Sequence, residues 1–368
     1  MQDKSFLQMA ENWKQIIDFG PRPMGSLAAE QCAGYLRGEM DNITGNSYLE
    51  SFETEAWDVE DWNLEVCSPN GRKLESFLFL GSGEEPEGFE GGILFAGYNR
   101  IWNMYVWEKY AVVDEEGEIK AYITVRGNGK AIPQMLFTGK STLPHFLVGK
   151  EEAEFFRTAE KNQVKVKGYA RAGIRKGAVC RNVIGILHPE KKKRVLLCAH
   201  YDTVYTTPGA YDNSSGAAVI LEVGRRLGKE NCRTSVELML TDGEEYNLVG
   251  ARHHCEAGTP VDMVLNVDGV GRERILEVWS GPEPFERQIR TYLGQSKEDF
   301  TPVFKSPPPP GSDHAPYYEK GIPVCMLTFN DQGILHSALD VYEENNLDNM
   351  EVMVRMVMEM LRYFNVIE

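Results

Sequence analysis

The sequence predicts an α/β protein: a three-layer α/β/α domain with a mostly parallel central sheet, interrupted by a smaller β-rich inserted domain. Three observations lead there. From about residue 180 onward, apolar strand-like runs alternate with amphipathic helix-like stretches, as in parallel sheets covered on both faces. Residues from about 47 to 170 hold short β-like runs between Gly-rich or charged turns instead. The start of the chain reads as two helices. The α/β/α domain is therefore expected to be discontinuous, over 1–48 and 166–368, with the β-rich insert at 49–165.

The elements follow in order. Residues 5–19 place Phe6, Leu7, Met9, Ile16 and Ile17 at near-helical spacing. The turn GPRPMGS breaks that pattern, and AAEQCAGYLRGEM resumes it after Ser26, a plausible N-cap. In the insert, ESFLFLG, GGILFAG, YAVVD, AYITVRG and PQMLFTG are strand-like. Beyond it, RVLLCAH precedes the helix-like SSGAAVILEVGRRLG, and SVELMLT precedes NLVGARHHCEAG. VDMVLNVD, ILEVWS and PVCMLTF read as further strands, PFERQIRTYLG and LDNMEVMVRMVMEMLRYF as helices. The prolines at 307–310 exclude helix and inner strand, so they form a stiff loop, expected to frame an opening.

Composition narrows the function. The 368 residues carry 42% hydrophobic and 26% charged side chains, as in ordinary globular proteins. A net charge of -16 argues against nucleic acid and anionic membrane surfaces as partners. No apolar run approaches the roughly 20 residues that span a bilayer. No basic-then-apolar leader is visible at the start, which suits a cytoplasmic protein, although a leader removed before secretion would leave the same start. The seven cysteines are odd in number, scattered and without CxxC, so they read as reduced core thiols.

Five residues carry a distinct chemistry: His200, Asp212, Glu245, Asp268 and His336. Each ends a strand-like run or sits in the turn after one, where open α/β sheets collect ligands. Two imidazoles and three carboxylates suit Zn²⁺, and they hold two ions if one carboxylate bridges. Asp202 follows His200 at i+2 and is a candidate to fix its tautomer. Asp212 in YDNSSG has the ordinary alternative of a helix N-cap. Glu244-Glu245 follows an apolar strand. Metal-assisted hydrolysis needs one carboxylate on the metal and another free to take a proton, and adjacent glutamates supply both. Asp268 ends a nearly continuous apolar run, where a lone carboxylate would be costly. His336 has Asp340 nearby. His145, His188, His253 and His254 read as structural or surface histidines.

At these residues the chain resembles the co-catalytic dizinc aminopeptidases, the leucyl aminopeptidase type of clan MH. The matching segments are AHYDTV, YDNSSGAA, GEEYNLVGA, NVDGVG, SDHAPYYEKGIP and LHSALD, in the family's order over about 195–345. GPRPMGS resembles the family's opening motif. PHFLVGKEEAEFFRTAE more loosely resembles the protease-associated domain that some members insert there.

The resemblance implies two Zn²⁺ ions, other divalent metals being compatible. Asp212 would bridge them, with His200 and Asp268 on one and Glu245 and His336 on the other. Glu244 would be the general base, Asp202 would orient His200, and Asp313 and Tyr317 would face substrate. The peptide after Asp212 is often cis in the family. Two positions depart from its pattern: Leu335 replaces the Tyr that usually helps to stabilise the oxyanion, leaving Tyr317 or Tyr318 to supply that donor, and Asn247 replaces a Gly.

The implied activity is an exopeptidase removing N-terminal residues from peptides. A carboxypeptidase or cyclase on the same fold, and a non-catalytic binding protein, are the alternatives. Retention of all five ligands disfavours the last. The insert would cap the site, mediate homo-oligomer contacts, or serve only as a structural lid.

Overall fold

The structure, a computed structural model, describes every residue except 1–3, 69–70, 102–104, 137–138, 259, 297 and 299. The chain divides into two compact units. One comprises Met1–Glu53 with Val179–Glu368, the other Thr54–Ala178.

In the first unit, Arg194–His200 lies parallel to Ser235–Thr241 on one side and to Met263–Val270 on the other. Val324–Phe329 continues the parallel order beyond Met263–Val270. Ile275–Gly281 then pairs antiparallel, and Thr301–Lys305 closes that edge. On the far side, Val183–Leu187 runs antiparallel to Ser235–Thr241. The sheet is thus mixed with a parallel centre. The strands are near-continuous apolar runs because both faces are covered. Leu197, Leu238, Leu265 and Cys325 pack on one face under the helices Lys4–Asp18, Leu27–Thr44, Gly216–Leu227, Glu283–Leu293 and Asn346–Tyr363. Leu196, Met239, Val264 and Val324 fill the other face, with Cys255 and Tyr317 from the helices Val249–Glu256 and Ala315–Glu319. These are the three layers the sequence predicts.

The strand order matters for function. The first parallel strand, Arg194–His200, sits in the middle, and the chain goes first to one side of it and then to the other. That reversal opens a crevice at the carboxyl ends, where such sheets bind ligands. Local signals hold too: Ser26 Oγ accepts from Ala29 N at 3.1 Å, the expected N-cap.

The second unit is mostly antiparallel. Glu85–Ile101 pairs with Tyr105–Val113, which pairs with Ile119–Val125. His145–Val148 and Ser76–Leu80 extend the sheet, and Ala153–Ala159 is a short helix. Only Gln134–Met135 of the PQMLFTG run is strand, and residues 137 and 138 of that run lie outside the described residues. The strands exceed the short runs legible in sequence: Glu85–Ile101 is 17 residues long.

Candidate metal centre

Strand ends and the turns after them bring the five predicted ligands together. Asp212 is at the centre of the arrangement. Its Oδ1 lies 3.1 Å from His200 Nε2, and its Oδ2 lies 3.1 Å from His336 Nε2. His200 Nε2 is also 3.2 Å from Asp268 Oδ1, and His336 Nε2 is 3.1 Å from Glu245 Oε2. Two groups result, His200 with Glu244 and Asp268, and Asp212 with Glu245 and His336. Within each group the donor atoms lie within 4.8 Å of one another.

Neighbouring polar groups fix these side chains. His200 Nδ1 lies 3.1 Å from the main-chain oxygen of Asp202 and 3.5 Å from its carboxylate, which leaves Nε2 to face the centre. The Asp202 carboxylate instead accepts from Glu244 N at 3.1 Å and Glu245 N at 3.2 Å, so it also sets the glutamate turn. Asp340 also holds the loop of the bridging residue. It accepts from the backbone N–H groups of Tyr211 and Asp212, the latter at 3.1 Å, and so anchors the bridging loop. Asn213 ties that loop to the next strand: its Nδ2 donates to Val267 O at 2.9 Å, and its Oδ1 accepts from Gly269 N at 2.9 Å. The Asp212–Asn213 peptide is cis, the feature common among the resembled enzymes.

Electrostatics mark the centre as built for cations. Burial works against a charge on His200, yet Glu244 and Asp268 overrule it and hold its pKa well above the usual value. His336 is raised in the same way against burial by Glu245 and Asp212. Burial lifts Glu244 well above the ordinary carboxylate range, with Asp268 and Glu245 adding repulsion and His200 opposing them. Asp313 is pushed up to about 7, by burial first. So many buried carboxylates are costly without a compensating cation. Glu245 Oε1 is buried with no hydrogen-bond partner. The donor set and this orphaned oxygen fit divalent metal ions.

Tyr317 is 1% exposed and belongs to the apolar cluster that includes Leu196, Cys198 and Val264. Tyr318 packs against the same cluster, partly buried. Asp313 does sit beside the centre, fully buried, with Thr241 Oγ1 donating to its Oδ2. Asn247 has φ +72°, which explains a Gly there, and Asn is among the side chains that tolerate this conformation best. Sequence reasoning missed Arg22 altogether. A charged residue inside a Gly/Pro turn reads as solvated, whereas this one is 0% exposed. Its only signal was membership of GPRPMGS.

A sheet of this order, with paired histidine–carboxylate groups at its switch point, defines a metal-dependent hydrolase. The profile of Peptidase family M28 matches residues 182–361, the segment carrying every candidate ligand. Aminopeptidase YwaD of Bacillus subtilis is 24% identical over 346 residues, covering 85% of this chain and 73% of YwaD. The solved structure of BSAP, a zinc aminopeptidase from Bacillus subtilis, superposes with TM-score 0.70 at 20% identity, over 96% of this chain and 95% of that one. An aminopeptidase from Aneurinibacillus sp. strain AM-1 gives TM-score 0.69 at 16% identity, over 96% and 94%. At these identities the structures establish the fold.

Proposed function

We propose that this chain is a dizinc aminopeptidase of the leucyl aminopeptidase type, removing N-terminal residues from peptides. The observation that carries the reading is Asp212, whose two carboxylate oxygens each face a different histidine at 3.1 Å. A carboxylate that bridges two metal ions would have that geometry. His200 and Asp268 complete one metal site, Glu245 and His336 the other. The names of the similar proteins, aminopeptidases and zinc aminopeptidases, point the same way.

Zinc held there lowers the pKa of water and polarises the scissile carbonyl. The chain's own residues do the rest. Glu244 is adjacent to ligand Glu245 and held by its backbone N–H on Asp202, and it is the group that takes a proton from the attacking water. Its raised pKa suits it to return that proton to the leaving amine. Asp202 orients His200 and the glutamate turn together. Asp313, buried with Thr241 Oγ1 donating to its Oδ2, is the residue assigned to the substrate's amino group.

The unit Thr54–Ala178 is read as a protease-associated-like insert, on the strength of its separate compactness and β-rich fold. Seven free cysteines support a reducing, cytoplasmic setting. No described helix is long and apolar enough to cross a membrane. Metal analysis joined to peptide hydrolysis tests the proposal: about two zinc ions per chain are expected, with turnover lost on chelation and regained on zinc addition. Full activity in metal-free protein would overturn it.

A further inference from the structure

We propose that Arg22 is a positioning residue for the metal centre, setting the separation between the loop of His200 and Asp202 and the loop of Asp212. The inference rests on the metal-centre reading above and goes beyond it. It concerns a residue far from the ligands in sequence and outside the matched family segment.

The geometry is specific. Arg22 is 0% exposed. Its Nε donates to Tyr201 O at 2.9 Å, the carbonyl between His200 and Asp202. Its Nη1 donates to Pro208 O at 2.9 Å, within the stretch leading to Asp212. Its Nη2 donates to Ser214 Oγ at 2.8 Å, just past Asp212. Nη1 also reaches Ile16 O at 3.0 Å and Gly20 O at 2.7 Å, which ties both loops to the end of the first helix. The main chain repeats the clamp: Arg22 N donates to Thr203 Oγ1 at 2.8 Å, and Thr203 N donates to Arg22 O at 3.2 Å. Trp13 adds a further tie, its Nε1 donating to Ala210 O at 2.7 Å.

The chemistry explains why the side chain is arginine. Residues 201–204 and 207–209 carry no helix or strand, so their buried carbonyls need donors from elsewhere. Only a rigid planar fork reaches three separated acceptors from one stem. A lysine ammonium is a point donor and reaches fewer of them. The two clamped loops carry His200 and Asp212, whose Nε2 and Oδ1 must stay about one metal-sized gap apart. Small misplacements at such a centre lower turnover by orders of magnitude.

Arg22→Lys is the test, because it keeps the charge and removes the fork. Wild type and variant are stripped of metal and loaded with cobalt(II) chloride. The visible cobalt absorption, the cobalt stoichiometry, kcat and KM are then measured beside the melting temperature. The expected result is a folded variant with a changed cobalt band, weaker uptake of the second ion and kcat down about tenfold or more at similar KM. A purely structural role would lower the melting temperature of metal-free and loaded protein alike, leaving band, stoichiometry and kcat unchanged. That result overturns the inference. If Arg22→Lys fails to fold, Ser214→Ala decides, since it removes one acceptor of the fork: a shifted cobalt band supports the role and an unshifted one overturns it. Wild type that binds no cobalt would instead sink the metal-centre reading itself.

Discussion

At the scale of single residues, the centre depends on which carboxylate touches which nitrogen. Asp212 lies between both histidines, so Asp212→Ala is expected to empty both sites, from about two ions per chain to nearly none. Elemental analysis checks this, and unchanged occupancy would remove the bridge. Glu244 stands differently. Glu244→Gln keeps the shape and a hydrogen-bonding oxygen but no base, so metal content should hold while turnover falls by about 10² to 10⁴. Normal hydrolysis by that variant would reassign the base. His200, Glu245 and Asp268 were legible because each ends or closely follows an apolar run; Asp212 and His336 were legible from the segments YDNSSG and LHSALD. One role of Asp340 was not legible: its spacing points to His336, and it also accepts from backbone N–H groups of the Asp212 loop. Such capping contacts depend on loop closure, which spacing alone does not encode.

At the scale of elements, a buried histidine joins three segments of the α/β unit. His254 Nε2 lies 3.0 Å from Glu237 Oε1, and Nδ1 lies 3.2 Å from Glu50 Oε1. Arg194 Nη1 in turn sits 2.8 Å from Glu237 Oε2. Burial opposes a charge on His254, but Glu237 and Glu50 overrule it and lift its pKa to about 9. The folded value exceeds the unfolded one, so protonation stabilises the fold. The contribution is complete below about pH 6.5 and is lost as pH rises through about 9. His254→Gln should lower stability by about 1–3 kcal/mol at pH 6 and flatten the fall in stability between pH 6.5 and 9. An unaltered pH slope in denaturant titrations would contradict the pairing. The partners in this ion cluster were invisible in the sequence, where His253 and His254 read only as structural or surface histidines. The parallel strands, in contrast, were legible almost to the residue, RVLLCAH and SVELMLT among them. Burial on both faces leaves mostly apolar side chains to read, Glu237 being an exception. The insert's long strands were less legible, because one-sided exposure and irregular pairing break the period-two pattern, as at the bulge between Phe95 and Tyr98.

At the scale of the whole molecule, metal and fold are coupled. Buried carboxylates and imidazoles at the switch point repel or compete until a cation joins them. Chelated protein should therefore melt at a lower temperature than zinc-loaded protein, by an amount that grows with free zinc. Equal melting temperatures would mean that the centre binds no ion in the folded state. The central claim, aminopeptidase chemistry with Glu244 as base, is tested most directly by mass spectrometry of a peptide library with free and acetylated N-termini. Zinc-loaded wild type and Glu244→Gln are compared. Stepwise loss of N-terminal residues from free-amine peptides only, absent in the variant, is the expected result. No cleavage by wild type at full metal occupancy, or equal cleavage of acetylated peptides, would contradict it.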